Sequence, residues 1–267
     1  MSDRKSSSDY WEGEWEKFDP SEEISLDENN PKNLLNIIIH KNLKKAFEKN
    51  DTKSNATFFE IGCGGSRWLP YFAKEFDFQV GGIDYTDNGV IGAINACKHN
   101  NINANIVKGD YEQMSAVLNG ECFDVVASFG FVEHFEDTKK CISHIMKVSK
   151  KNGLIITIIP NMAGLYGLGY KLLKPSVYAI HNPIDLKQLA KAHAENGLQL
   201  IDEQYLLSTP GIIGATKDGD KGLFRFVKNS IRSLSQFFWL LELKGLLRLP
   251  RTKLLSPYIM CVYKNNA

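Results

Sequence analysis

Three glycines in four residues, Gly62, Gly64 and Gly65, follow a short apolar run that carries an acid, Thr57-Phe58-Phe59-Glu60-Ile61, and lead into Ser66-Arg67-Trp68-Leu69, where a helical pattern resumes. A strand, a tight glycine turn and a helix start, in that order, read as a nucleotide-binding turn. The chain must reverse sharply there, and a Cβ would hold the backbone away from a ligand at the helix N-terminus. The dinucleotide spacing G-x-G-x-x-G would put its third glycine at position 67, which is Arg67. Glu60 adds a second objection. A carboxylate at the strand's end repels a pyrophosphate in a water-poor crevice, and it attracts a ligand carrying ammonium and sulfonium charges.

These residues resemble the first motif of the Rossmann-like methyltransferases that use S-adenosylmethionine (SAM), E/D-x-G-x-G-x-G, read here as Glu60, Gly62, Gly64 and Ser66 with serine at the last position. The resemblance spans roughly residues 55–207 and the final strand, and it implies SAM as cofactor. Asp84, at the end of a second strand over 78–85, is placed to accept both ribose hydroxyls. The resemblance further implies that Asp110, ending a third strand, takes the adenine amino group, and that Tyr85, Tyr111 and Phe129 neighbour the cofactor. The implied reaction is in-line displacement of the sulfonium methyl, driven by positioning and exclusion of water. An amine or carboxylate acceptor needs little more, whereas a hydroxyl needs a base. His134, beyond the fourth strand, is the first candidate base, and His181 is the second. Glu133-His134 also resembles the Glu-x-x-Glu-His metal motif of ubiquinone-pathway O-methyltransferases. The first glutamate of that motif is Gly130 here, so no metal is expected.

The elements that must hold these residues read as an α/β fold, and the resemblance implies its arrangement: a doubly wound, mostly parallel seven-stranded sheet with the last strand antiparallel and an N-terminal helical cap, to which this chain adds a helical insertion before the last strand. Apolar, β-branched runs place strands at 57–61, 78–85, 105–110, 123–128, 154–159, 198–207 and 255–263. Helical spacing and caps place helices from Asn30-Pro31 onward, over 68–75, 88–99 and 137–149, and from Asn182-Pro183 to a stop at Gly197. Residues 161–180, rich in glycine and tyrosine, read as a loop-like substrate wall. Residues 1–50 form a tail, disordered over 1–9, and the helical cap. Residues 51–267 form the methyltransferase domain, with an insertion at 208–253. Tyr10, Trp11, Trp15 and Phe18 are too dense to stay in water, so the acidic N-terminal stretch packs on the domain or over a ligand.

Composition narrows the function classes. With 43% apolar residues and a net charge of +1, the chain builds a full core and does not carry the basic excess of a nucleic-acid binder. Five scattered cysteines without a C-x-x-C pair fit reduced thiols in a cytoplasmic protein, and no run of apolar residues suits export or a membrane span. Charge is uneven along the chain: residues 1–30 are acidic, and residues 221–253 carry eight bases against one acid. In that basic stretch Leu223, Val227, Ile231, Leu234, Phe238 and Leu241 follow helical spacing, with Arg225, Lys228 and Arg232 opposite. Such a helix suits a membrane interface, a cover for the site or a homodimer contact. The sequence therefore reads as a SAM-dependent O-methyltransferase acting on a small molecule or a cell-envelope sugar. A catalytically silent SAM-binding subunit and an NAD-dependent oxidoreductase are the alternatives.

Overall fold

The apolar run carrying Glu60 becomes an inner strand of the sheet. The computed structural model describes residues 4–209 and 223–267, the second span with side chains from residue 229. In chain order the elements are α1 (Ser8–Trp15), a 3-10 turn (Pro31–Asn33) leading into α2 (Leu34–Lys49), β1 (Thr57–Ile61), α3 (Trp68–Phe76), β2 (Gln79–Asp84), α4 (Asp87–His99), β3 (Ala104–Lys108), α5 (Met114–Val117) and β4 (Phe123–Phe129). They continue with a 3-10 turn (Val132–His134), α6 (Thr138–Met146), β5 (Ser149–Pro160), α7 (Leu165–Leu173), α8 (Pro175–Ala179), α9 (Leu186–Ala194), β6 (Gln199–Leu206), α10 (Leu223–Leu243) and β7 (Tyr258–Lys264).

The strands lie in the order β3-β2-β1-β4-β5-β7-β6, with β7 antiparallel to both neighbours and the other pairs parallel. After β3 the chain crosses to the other side of β1, so the carboxyl ends of β1 and β4 flank a crevice. Register makes those ends level, because Ile61 pairs with Ile83 on one side and Ser128 on the other. Gly62, Asp84 and Phe129 therefore meet at one edge.

Alternation along the strands builds two core layers. Phe58 and Val125 pack with Phe72 on one face, while Phe59 and Val126 pack with Ile142 on the other. None of the five cysteines is in a disulfide, and four of them are buried. Among the described residues no helix is long and apolar enough to cross a membrane.

The structure corrects several expectations. Residues 4–9 are ordered: Arg4 bridges Phe135 in the antiparallel sense, and the Lys5 N–H donates to the His134 carbonyl at 2.7 Å. The segment 161–180 is mostly helical, because its glycines permit close packing: a Cβ on Gly167 would lie 1.9 Å from the Met162 carbonyl oxygen. The next helix begins at Leu186, not at Asn182-Pro183, since Asp185 and Gln188 form a reciprocal capping box. Helix α6 stops at Met146, short of 149, and β5 starts at Ser149, earlier than the β-branched run. In the insertion, residues 210–222 and the side chains of Leu223, Arg225, Val227 and Lys228 lie outside the described residues.

Candidate active site

The glycine turn is held by backbone hydrogen bonds and by the Asp84 carboxylate. Gly62 and Gly65 have φ of +72° and +56°, the left-handed region that glycine tolerates. The N–H groups of Gly62 and Cys63 both donate to the Ile83 carbonyl, and the Gly64 N–H donates to Asp84 Oδ2 at 2.9 Å. Asp84 Oδ1 accepts from the backbone N–H and the hydroxyl of Thr86, at 2.9 and 2.6 Å. Burial pushes the Asp84 carboxyl up despite these bonds.

Ser66, the residue in place of the motif's last glycine, has its own work. Its hydroxyl donates to Glu60 Oε2 at 2.5 Å and accepts the N–H groups of Trp68 and Leu69 at the start of α3. Burial pushes the Glu60 carboxyl up to about 8, so without a cationic partner it is mostly protonated at neutral pH. Phe129 stacks on Trp68 with ring centroids 4.4 Å apart.

The N-terminal segment roofs this crevice. Glu12, on α1, accepts the Asp87 and Asn88 N–H groups with its two oxygens, tying α1 to the first turn of α4. Trp15 lies so close to the turn that a Cβ on Gly64 would come within 2.3 Å of its Nε1, and one on Gly65 would come within 2.8 Å of the Phe18 ring. The Arg4 guanidinium stands 4.1 Å over the Tyr85 ring and pairs with Asp110 at 2.9 Å. The cavity, about 280 Å³, is lined by Glu60, Gly62, Gly64, Asp84, Tyr85, Phe129 and His134 among others. Asp110 and Tyr111 do not line it. Asp110 caps the turn after β3 by accepting the Glu112 N–H, and Tyr111 packs against Phe135 with centroids 4.5 Å apart. Sequence reasoning missed Arg4, Glu12 and Thr86, and it had Ser66 only as the motif's last position, not as a partner of Glu60. Only Thr86 had a local signal, a threonine three residues before Gly89 at a helix start.

The two candidate bases meet. His134 Nδ1 bonds the Ile180 carbonyl at 2.8 Å, and His181 Nδ1 bonds the Val177 carbonyl at 2.6 Å. A carbonyl only accepts, so each Nδ1 carries the hydrogen and each Nε2 presents a lone pair. The rings stand 4.5 Å apart, and burial lowers both pKa values, that of His134 to about 3. The segment 161–180 thus lies beside the 3-10 turn after β4, as expected of a wall, although it is helical.

The residues present suit SAM: a cradle at Gly64 that admits no Cβ, a buried acid next to it, and aromatic walls. Sheet order, glycine turn and acids together define the Rossmann-like class of SAM-dependent methyltransferases. The family described as a methyltransferase domain matches residues 52–205, more than half of the chain, and the chain belongs to it. The chain is 29% identical over 136 residues to a ubiquinone biosynthesis O-methyltransferase of Rickettsia bellii, covering 51% of this chain and 53% of that protein. It is 28% identical over 129 residues to phosphoethanolamine N-methyltransferase 2 of Caenorhabditis elegans, covering 48% and 28%. The matches thus span about half the length of the Rickettsia relative and less of the nematode one. The structure of phosphoethanolamine N-methyltransferase 2 of Haemonchus contortus in complex with SAM shares the fold, with a TM-score of 0.55 at 16% identity over 85% of this chain and 53% of that one. The oxidoreductase alternative falls with the family.

Proposed function

We propose that the chain methylates a hydroxyl oxygen of a small acceptor, either a free small molecule or a sugar of the cell envelope. The carrying observation is the bare Nε2 lone pair of His134, a crevice-lining imidazole whose other nitrogen is committed to Ile180. A hydroxyl must lose its proton as its oxygen bonds to carbon, and in this reading the His134 lone pair, with His181 beside it, takes that proton. An amine acceptor would need no such group. The relatives' names divide between oxygen and nitrogen acceptors, and the histidine pair favours oxygen.

In this reading Asp84 takes the ribose hydroxyls, the Gly62–Gly64 backbone lets the cofactor come close, and Glu60 faces its positive charges. Tyr85, Asp110 and Tyr111 belong to the adenine end, and Phe129 walls the crevice. Bound SAM supplies a methyl group on a positively charged sulfur. Residues of α1 keep water from it, and the turn and strand ends orient it against the acceptor. The reading includes a cytoplasmic location, supported by five cysteines that form no disulfide. The test is an acceptor screen followed by S-adenosylhomocysteine release, with His134→Gln as the control. Turnover on a hydroxyl acceptor should fall by a factor on the order of 10² to 10⁴ in the variant, with SAM affinity little changed. Turnover confined to amines would overturn the reading.

A further inference from the structure

Glu133 is the least satisfied polar side chain near the crevice. It is 1% exposed, and among the described residues neither carboxyl oxygen has a hydrogen-bond partner. An isolated buried carboxyl is expensive, and such groups are retained where something else completes them. What faces it is not a donor. His134 Nε2 lies 3.8 Å from Glu133 Oε1, too far for a hydrogen bond, and ligand atoms of Glu133, His134 and His181 all lie within 4.8 Å of one another. Since both Nδ1 atoms donate to backbone carbonyls, the two remaining ring nitrogens carry lone pairs. Two lone-pair nitrogens and a carboxyl therefore converge with no hydrogen placed to join them.

We propose that Glu133, His134 and His181 form a binding site for one divalent transition-metal ion. Two imidazoles and one carboxylate suit zinc, manganese, cobalt or iron(II) better than magnesium or calcium, which prefer all-oxygen shells. The second layer of the site is already in place. A ligating imidazole ordinarily donates its other N–H to a carbonyl or carboxylate, which fixes tautomer and orientation, and Ile180 and Val177 do this here. The Asn182 N–H donates to the Glu133 carbonyl at 2.6 Å, so the chain leaving α8 is fastened to the turn that bears the other two ligands. Gly130, at φ +66°, leaves space beside the carboxyl: a Cβ there would come no closer than 3.6 Å to Glu133 Oε1. Metal bonds of about 2.0–2.2 Å require the three donors to draw in by roughly 1 Å. Ionised Glu133 supplies the charge that the ion balances.

The ion's role rests on the O-methylation reading: three protein ligands leave positions open, and an ion there would weaken an acceptor O–H bond by its charge, the task assigned above to the free lone pair. Its binding does not rest on that reading, and the test reads binding alone. Untagged chain is freed of metal with a chelator and dialysed against Zn²⁺ or Co²⁺, with bound metal measured by elemental analysis and the Co²⁺ site by its visible ligand-field bands. The expected result is one equivalent bound, and a loss of affinity by a factor of roughly 10² or more in both Glu133→Gln and His181→Ala, beyond the effect of changing an outer partner. SAM titration of the same variants shows that they are folded. No bound metal, or binding undiminished in a folded His181→Ala, overturns the site. A failure to bind SAM with the metal result intact would overturn the methyl-transfer reading instead.

Discussion

At Asp84 one oxygen holds the Gly64 N–H and the other accepts twice from Thr86, so removing the carboxylate loosens the turn as well as any ribose contact. Asp84→Ala should weaken SAM binding by about 1.5–3 kcal/mol, the range for hydrogen bonds to a charged group, and should also lower stability. Calorimetry showing wild-type affinity in the folded variant would remove Asp84 from the site. Glu60 makes a pH prediction. Its carboxyl is raised from 4.5 to about 8 in the folded chain, so it stays neutral there while its unfolded counterpart ionises. Its contribution is fully present below pH 4.5 and is lost as pH rises through 8, falling by about 1.4 kcal/mol for each pH step of one across that window. Urea unfolding over the same range should show Glu60→Gln gaining steadily on the wild type. A constant difference would mean that Glu60 ionises freely. His193 works in the opposite sense: fully buried between Thr157 and the Leu189 carbonyl, it is lowered to about 4, so its contribution is present above 6.5 and lost as pH falls toward 4. The acid in the glycine motif was legible in the sequence, but its protonation was not, because it depends on how completely the fold removes water from Glu60.

The N-terminal stretch was legible as four aromatics among acids that had to pack somewhere, yet neither helix α1 nor its target was. The structure lays Trp15 and Phe18 on the glycine turn and stacks Trp11 edge-on against His134, with centroids 5.0 Å apart. A ligand reaching the Gly64 backbone has to displace Trp15. Removal of residues 1–19 should therefore raise the rate of SAM association at least tenfold, on the order of 1.4 kcal/mol of barrier, as read by stopped-flow fluorescence. An unchanged rate would show that α1 does not gate the crevice. Helix α7 carries a second prediction. Gly167→Ala drives a Cβ into the Met162 carbonyl, which should cost about 1–3 kcal/mol or more of stability in denaturant titration. Its effect should reach the histidine pair, because Ile180 and His181 follow from α7 and α8.

For the molecule as a whole, α10 settles against the cap rather than standing apart. Trp239 is 5% exposed and joins the core layer that contains α2, while Leu234 and Phe237 remain exposed on the outer side. Trp239→Ala should cost about 3–5 kcal/mol, and the chain should stay in the supernatant with anionic vesicles at low salt. Pelleting at low salt that moderate salt reverses would restore the membrane-interface reading of residues 220–250, and concentration-dependent mass in solution would support a homodimer there. The strands, their order of appearance, the glycine turn and the acids at the ends of β1 and β2 were determined by the sequence itself, because period, β-branching and glycine spacing are local signals. Four things were decided only by tertiary structure: that Ser66 clamps Glu60, that Arg4 reaches Asp110, that helices replace the expected loop at 161–180, and that His181 meets His134 across 46 residues of intervening chain. Two of these join segments far apart in the chain. Their geometry depends on how each connection crosses the sheet's carboxyl edge, and no residue pattern at either end records that path.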